Sequence, residues 1–196
     1  GRHFWLTAIL APRFLSSAFA SGPALLILLC LVVRRVSRFD PGRNAIQKLA
    51  TIVVYAMIIN VFFIGLEFFT AYYSGIPSHR EGLQYLYFGL HGQGPLVPWM
   101  WTSTALAVAA IAVLLRPALR ANEGILAVAC VMVFASTWID KGLGLLMGGL
   151  SITPMETVTE YAPTAPELAI SVGVYAIGAI ILTVLYKIAV AVKARA

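Results

Sequence analysis

Residues 49–73, LATIVVYAMIINVFFIGLEFFTAYY, form a run of 25 residues with no Lys, Arg or Asp. Wound as a helix at ~1.5 Å per residue, such a run exceeds the ~30 Å hydrocarbon core of a bilayer. It admits few folds other than a membrane-spanning helix. Within it stand Asn60 and Glu67. A lone acid at membrane depth costs about 2.5–3.5 kcal/mol on insertion scales, and its presence marks a candidate functional group. The other helices are expected to surround this one and to supply partners for Glu67.

The rest of the chain reads the same way. Charged residues make up 11% of it, against about 25% in soluble domains, and 60% is hydrophobic. The apolar runs are near 20 residues long, not the ~10-residue alternating segments of a barrel. The expected fold is therefore all-α: one transmembrane domain, residues 1–196, of five spans near residues 14–33, 49–73, 96–115, 124–146 and 166–189. Pro23 falls inside the first span, among small residues that let helices approach closely.

The net charge of +6 does not argue for nucleic acid, because the bases gather in a few loops. Arg34, Arg35, Arg38, Arg43, Lys48, Arg116, Arg120, Lys187, Lys193 and Arg195 fall on one side, and Arg2, Arg13, Arg80 and Lys141 on the other. By the positive-inside rule the N-terminus is outside and the C-terminus inside. His3, Trp5 and Arg13 then suit an outer interface. A short interfacial helix is expected within residues 81–90. Thr153 with Glu156, and Thr164 with Glu167, have the spacing of capping boxes. The first predicts a short helix over residues 154–161, and the second opens the last span.

With that topology the unusual polar groups collect at the outer side. Glu67 is the candidate for proton transfer. Asp140, Glu160, Tyr161 and His91 are further candidates for a one-sided site that takes a lipophilic molecule from the bilayer and exchanges protons with the outside. Asp140 and Lys141 also read as an interfacial ion pair, Glu156 and Glu167 as caps, His79 as a solvated loop residue, and Asn60 as a cross-helix hydrogen-bonding group. Cys30 and Cys130 lie in apolar runs and read as packing residues. The three histidines, His3, His79 and His91, fall in outer segments, so no axial pair for an in-membrane haem is expected. Neither a metal nor an iron–sulfur site is predicted in this chain.

Four stretches carry a resemblance: NVFFIGLEFFTAYYS (residues 60–74), YLYFGLHG (85–92), LVPWMW (96–101) and the segment from WIDKGLGLLMGG to TPMETVTEYAPTAPE (138–167). Together they resemble the NrfD-like family of polysulfide-reductase membrane subunits, in its DsrP, HmcC and HybB-like branch. That branch usually has Glu-Lys-Gly where this chain has Asp140-Lys141-Gly142. The resemblance implies a haem-free membrane subunit of a respiratory or sulfur-metabolism complex in a prokaryotic cytoplasmic membrane. It would exchange electrons between menaquinone or ubiquinone and a ferredoxin-like iron–sulfur subunit on the outer face, which makes Asp140, Glu160, Tyr161 and His91 its quinone-binding or proton-path candidates. Further membrane, cytochrome or catalytic subunits would be its partners, in a setting of membrane lipid and without nucleic acid. Such subunits have about ten spans, so this chain is expected to correspond to a C-terminal half. A structural membrane anchor and half of a proton or solute transporter are the alternative readings.

Overall fold

A computed structural model describes residues 3–36, 42–153, 157–159 and 161–193. A 3-10 turn, His3–Trp5, precedes α1 (Leu10–Val36). Then follow α2 (Arg43–Tyr73), α3 (Pro77–Tyr87), α4 (Val97–Leu114), α5 (Pro117–Arg120) and α6 (Glu123–Trp138). The path of α6 continues as a π-helix, Ile139–Met147, and as α7 (Gly148–Ser151). The last helix is α8 (Ala165–Lys193). Five helical stretches are long and apolar enough to cross a membrane: Leu10–Arg35, Arg43–Tyr73, Val97–Leu114, Glu123–Ser151 and Ala165–Ile188. The chain is a multi-pass α-helical membrane protein.

The chain divides into two units, Gly1–Glu160 and Tyr161–Ala196. In the first, α1 packs on α2 and α6, and α4 packs on α6. Each helix buries one stripe. On α2 it is Ile46, Ala50, Val53, Met57, Asn60, Glu67 and Ala71. On α4 it is Met100, Ser103, Ala107, Ala110 and Leu114. These steps of three, four and seven are those of a single helix face. The stripes are rich in alanine and serine, because in lipid it is close backbone approach, not apolarity, that brings helices together. At Ser103 and Ser136 the approach is close enough for each hydroxyl to donate to the other residue's carbonyl oxygen, both at 2.9 Å.

A second core closes one end of this bundle. Tyr85, Leu86, Tyr87, Leu96 and Met100 are buried there, with Phe4, Phe68, Leu143 and Met147 packed against them. The glycines of the α6 exit admit these side chains. A Cβ on Gly148 would lie 2.6 Å from Leu86 Cδ2, and one on Gly149 would lie 2.4 Å from Trp5 Nε1. Trp5 is not simply an interface residue: its indole N–H donates to the Leu145 carbonyl oxygen at 3.0 Å. Gly149→Ala is expected to push the indole off that carbonyl and to cost about 1–3 kcal/mol, as overpacking does. Thermal unfolding in detergent, followed by tryptophan emission, would read it.

Three local readings change. The first long helix begins at Leu10, not Phe14. Pro12 sits in its first turn, where proline lacks only an N–H that has no intrahelical partner. The interfacial helix begins at Pro77, with proline at the helix start. It ends before Gly89, whose φ of +82° a side chain would resist. Half of the helix predicted over residues 154–161 falls outside the described residues. Its described part, Thr157 and Val158 with Thr159, is not helical but pairs with the end of α7. Thr159 N–H donates to Ser151 O at 2.8 Å, and Thr153 N–H to Thr157 O at 3.0 Å. Of the second capping box the glutamate half is seen: Glu167 accepts from Thr164 N at 2.7 Å and from Thr164 Oγ1 at 2.8 Å.

Candidate functional site

Glu67 does not stand alone. It is buried on α2, with 7% of its surface exposed, and it accepts from the Arg13 guanidinium. Arg13 projects from the first turns of α1 and is 5% exposed. Its second terminal nitrogen, Nη2, donates to Asp140 Oδ1 at 2.5 Å. Asp140, 3% exposed, pairs through its other oxygen with Lys141 Nζ at 2.9 Å. Lys141 Nζ also lies 5.1 Å from the centre of the Phe14 ring. Three elements thus converge on one planar fork. Two cations and two carboxylates lie in series, and the formal charge of the group is zero.

The local sequence explains how each member is aimed. Glu67 is seven residues from Asn60, so both fall on the packed stripe of α2. Arg13 heads the α1 stripe that continues through Ser16, Ser17, Ala20, Ala24 and Ile27. Asp140 would follow Thr137 and Ser136 on the α6 face. It lies at the beginning of the π-helix, whose wider turn re-aims side chains and recurs at functional sites. A guanidinium suits this position because its fixed fork can bridge two carboxylates at once.

The cluster sits where the two cores meet. A small cavity of about 10 Å³ borders Arg13, Glu67, Asp140 and Tyr87, roughly the room one water needs. Apolar neighbours Phe68, Leu86 and Met100 close it. Arg13 Nε and Asn60 Oδ1 are buried without a protein hydrogen-bond partner among the described residues. Asn60 is thus not seen bonding through that oxygen to another helix. Tyr87 stands edge-on to both Phe68 and Trp101. Burial pushes its phenol above the usual tyrosine range, so it remains a neutral O–H donor beside the charges.

The other sequence candidates are placed elsewhere or not described. His91 occupies a tight turn between paired Leu90 and Gln93, with φ of +51°. It does not border the cavity at the cluster. Tyr161 belongs to the second unit, where a hydrogen bond with Glu167 raises its phenol. Glu160 and Glu156 lie outside the described residues. Arg13 is the member that sequence reasoning missed. The signal that could have found it is the stripe itself, which Arg13 extends by three residues beyond Ser16.

A different ion pair ties the opposite end of the bundle. Arg34, at the end of α1, pairs with Glu123, at the start of α6. Gln47 Nε2 donates to Arg120 O there at 3.0 Å. The side chains of Arg34 and Glu123 are 31% and 37% exposed. Glu123→Gln is therefore expected to cost no more than about 1 kcal/mol, measured by the same thermal unfolding.

The family model described as "Polysulphide reductase, NrfD" matches residues 1–153, which include every residue of the ion cluster. The chain is also 26% identical, over 92% of its length, to a protein of Halobacterium salinarum whose description is that of a dimethyl sulfoxide reductase membrane subunit. It spans 45% of that relative's length.

Proposed function

Because the chain belongs to the NrfD family of polysulphide reductase proteins, we propose that it works as the membrane subunit of a reductase complex and exchanges electrons and protons with the quinone pool. A ferredoxin-like iron–sulfur subunit on the outer face would carry the electrons, and the remaining subunits would hold the terminal chemistry. The observation that carries the reading is the buried Arg13–Glu67–Asp140–Lys141 cluster in a chain otherwise so poor in charge. Quinol oxidation releases two protons, and a carboxylate held under a guanidinium beside a cavity with room for a water can accept and pass one.

The charges also support the proposed orientation. Arg13 and Lys141 are taken up by the cluster, so the outer flanks keep only Arg2 and Arg80, against ten bases on the inner flanks. The cavity at the cluster has room for a water, not for a quinone ring. A more open groove of about 380 Å³ is lined by Tyr72, Arg80, Gln84 and Phe88. It has the size of a small-molecule site, with two aromatic walls and amide and guanidinium donors for a quinone oxygen.

The test is a fluorescence-quenching titration with a quinol analogue on the complex purified in mild detergent, wild type beside Glu67→Gln and Gln84→Ala. Saturable quenching in the wild type, weakened about tenfold or more by the loss of a hydrogen-bonding or charged partner, supports the reading. Equal quenching in all three puts the quinone on another part of the complex. The chain is then a scaffold.

A further inference from the structure

The two carboxylates of the cluster are not equivalent. Asp140 is held between two cations, Arg13 and Lys141. Glu67 is held by Arg13 alone among the described residues. Both border the closed cavity. Glu67 also borders a second cavity, of about 40 Å³, which Asp140 does not reach. Its polar lining is Thr7, Thr70 and His79, and Phe4 and Leu83 border both cavities. The second cavity is the more open of the two, and His79, on α3, is exposed. Thr70 lies one turn beyond Glu67 and donates its hydroxyl to the Glu67 carbonyl oxygen at 3.0 Å.

We propose that the cavity lined by Thr7, Thr70 and His79 is the aqueous port through which Glu67 exchanges protons with the solution, while Asp140 serves as a fixed counter-ion. This rests on the reading above only for where the protons originate. A proton on the Glu67 carboxyl passes to water in the port, then to an imidazole nitrogen of His79, then to bulk. The carboxylate returns to Arg13. The groups that set this equilibrium are Arg13 on α1, Asp140 and Lys141 on the π-helix and Tyr87 on α3, all on the closed side. On the port side His79 is followed along α3 by Arg80 and Glu81. While Glu67 is protonated the cluster carries one net positive charge. The same Arg13 that holds Glu67 therefore favours the proton's departure.

The port can be tested without any quinone. In a background with Cys30 and Cys130 replaced by alanine, Thr70→Cys is compared with Ile64→Cys, a position that borders only the closed cavity of the two. Sealed vesicles of both orientations are treated with a membrane-impermeant methanethiosulfonate, and adducts are counted by mass spectrometry. Cysteine at 70 is expected to react about tenfold faster than at 64, because access governs thiol labelling. Equal rates, or no reaction at 70 from either side, would overturn the port. His79→Cys, at an exposed position, shows that the background folds and that the reagent is active. In the whole complex, His79→Gln is expected to slow quinol turnover about tenfold or more and to be rescued by added imidazole, as a lost proton relay is. An unchanged rate at every pH would remove His79 from the path. Labelling at 70 in a complex that turns over no quinol would leave the port standing and refute the quinone reading. Turnover with a shielded position 70 would do the reverse.

Discussion

Arg13→Gln is expected to destabilise the protein by about 3–5 kcal/mol, the cost of breaking a buried ion pair by removing one partner. It should be the most damaging single change in the first unit. Among the described residues the guanidinium is the only group that touches both Glu67 and Asp140. Without it two buried carboxylates face a single cation, Lys141, which reaches only Asp140. The group would carry one net negative charge in a low-dielectric setting, and Glu67 would lose the cation it now touches. Thermal unfolding in detergent measures the loss. The double variant Arg13→Gln with Glu67→Gln separates charge from packing. It returns the cluster to neutrality as an Asp140–Lys141 pair facing two amides, and it should recover much of the stability. If the double variant is as unstable as the sum of the two single ones, the pair is not coupled and the electrostatic account fails.

That cluster shows where reading the sequence succeeds and where it stops. Five apolar runs of membrane length are a one-dimensional signal, and they emerge as five long helices. Glu67 stands out for the same reason, because an acid is conspicuous in a run that lacks other charges. Arg13 does not stand out. It lies near the end of an apolar run beside a proline, and bases at run ends are ordinarily interfacial. Only the continuation of α1 back to Leu10, with Pro12 tolerated in its first turn, carries Arg13 inside. The π-helix is invisible for a different reason. Its glycines could equally have opened a loop, and hydrophobic periodicity over nine residues does not separate 3.6 from about 4.4 residues per turn. It is the contacts of Gly144 with Met100, Gly148 with Leu86 and Gly149 with Trp5 that show what the small residues are for.

The largest functional effect is expected from Glu67→Gln, which should slow quinol-linked turnover of the assembled complex by about 10²–10⁴-fold, the usual worth of a general acid–base group. Asp140→Asn is the comparison that gives this number meaning. Each substitution removes one carboxylate: Glu67→Gln leaves Asp140 between Arg13 and Lys141, whereas Asp140→Asn leaves Glu67 with Arg13 alone. Each leaves the same net charge of plus one, but Asp140→Asn also strips Lys141 of the carboxylate it touches and should lose more stability. If the cluster only clamps helices together, turnover in each variant should fall only in proportion to its folded fraction. If Glu67 handles protons, turnover per folded complex should fall far more for Glu67→Gln than for Asp140→Asn, because an amide cannot take up and release a proton. Glu67→Asp sharpens the comparison. It keeps the charge but withdraws the carboxylate by one methylene, so it should retain measurable turnover with an altered pH profile. Glu67→Gln should remain inactive across the whole range.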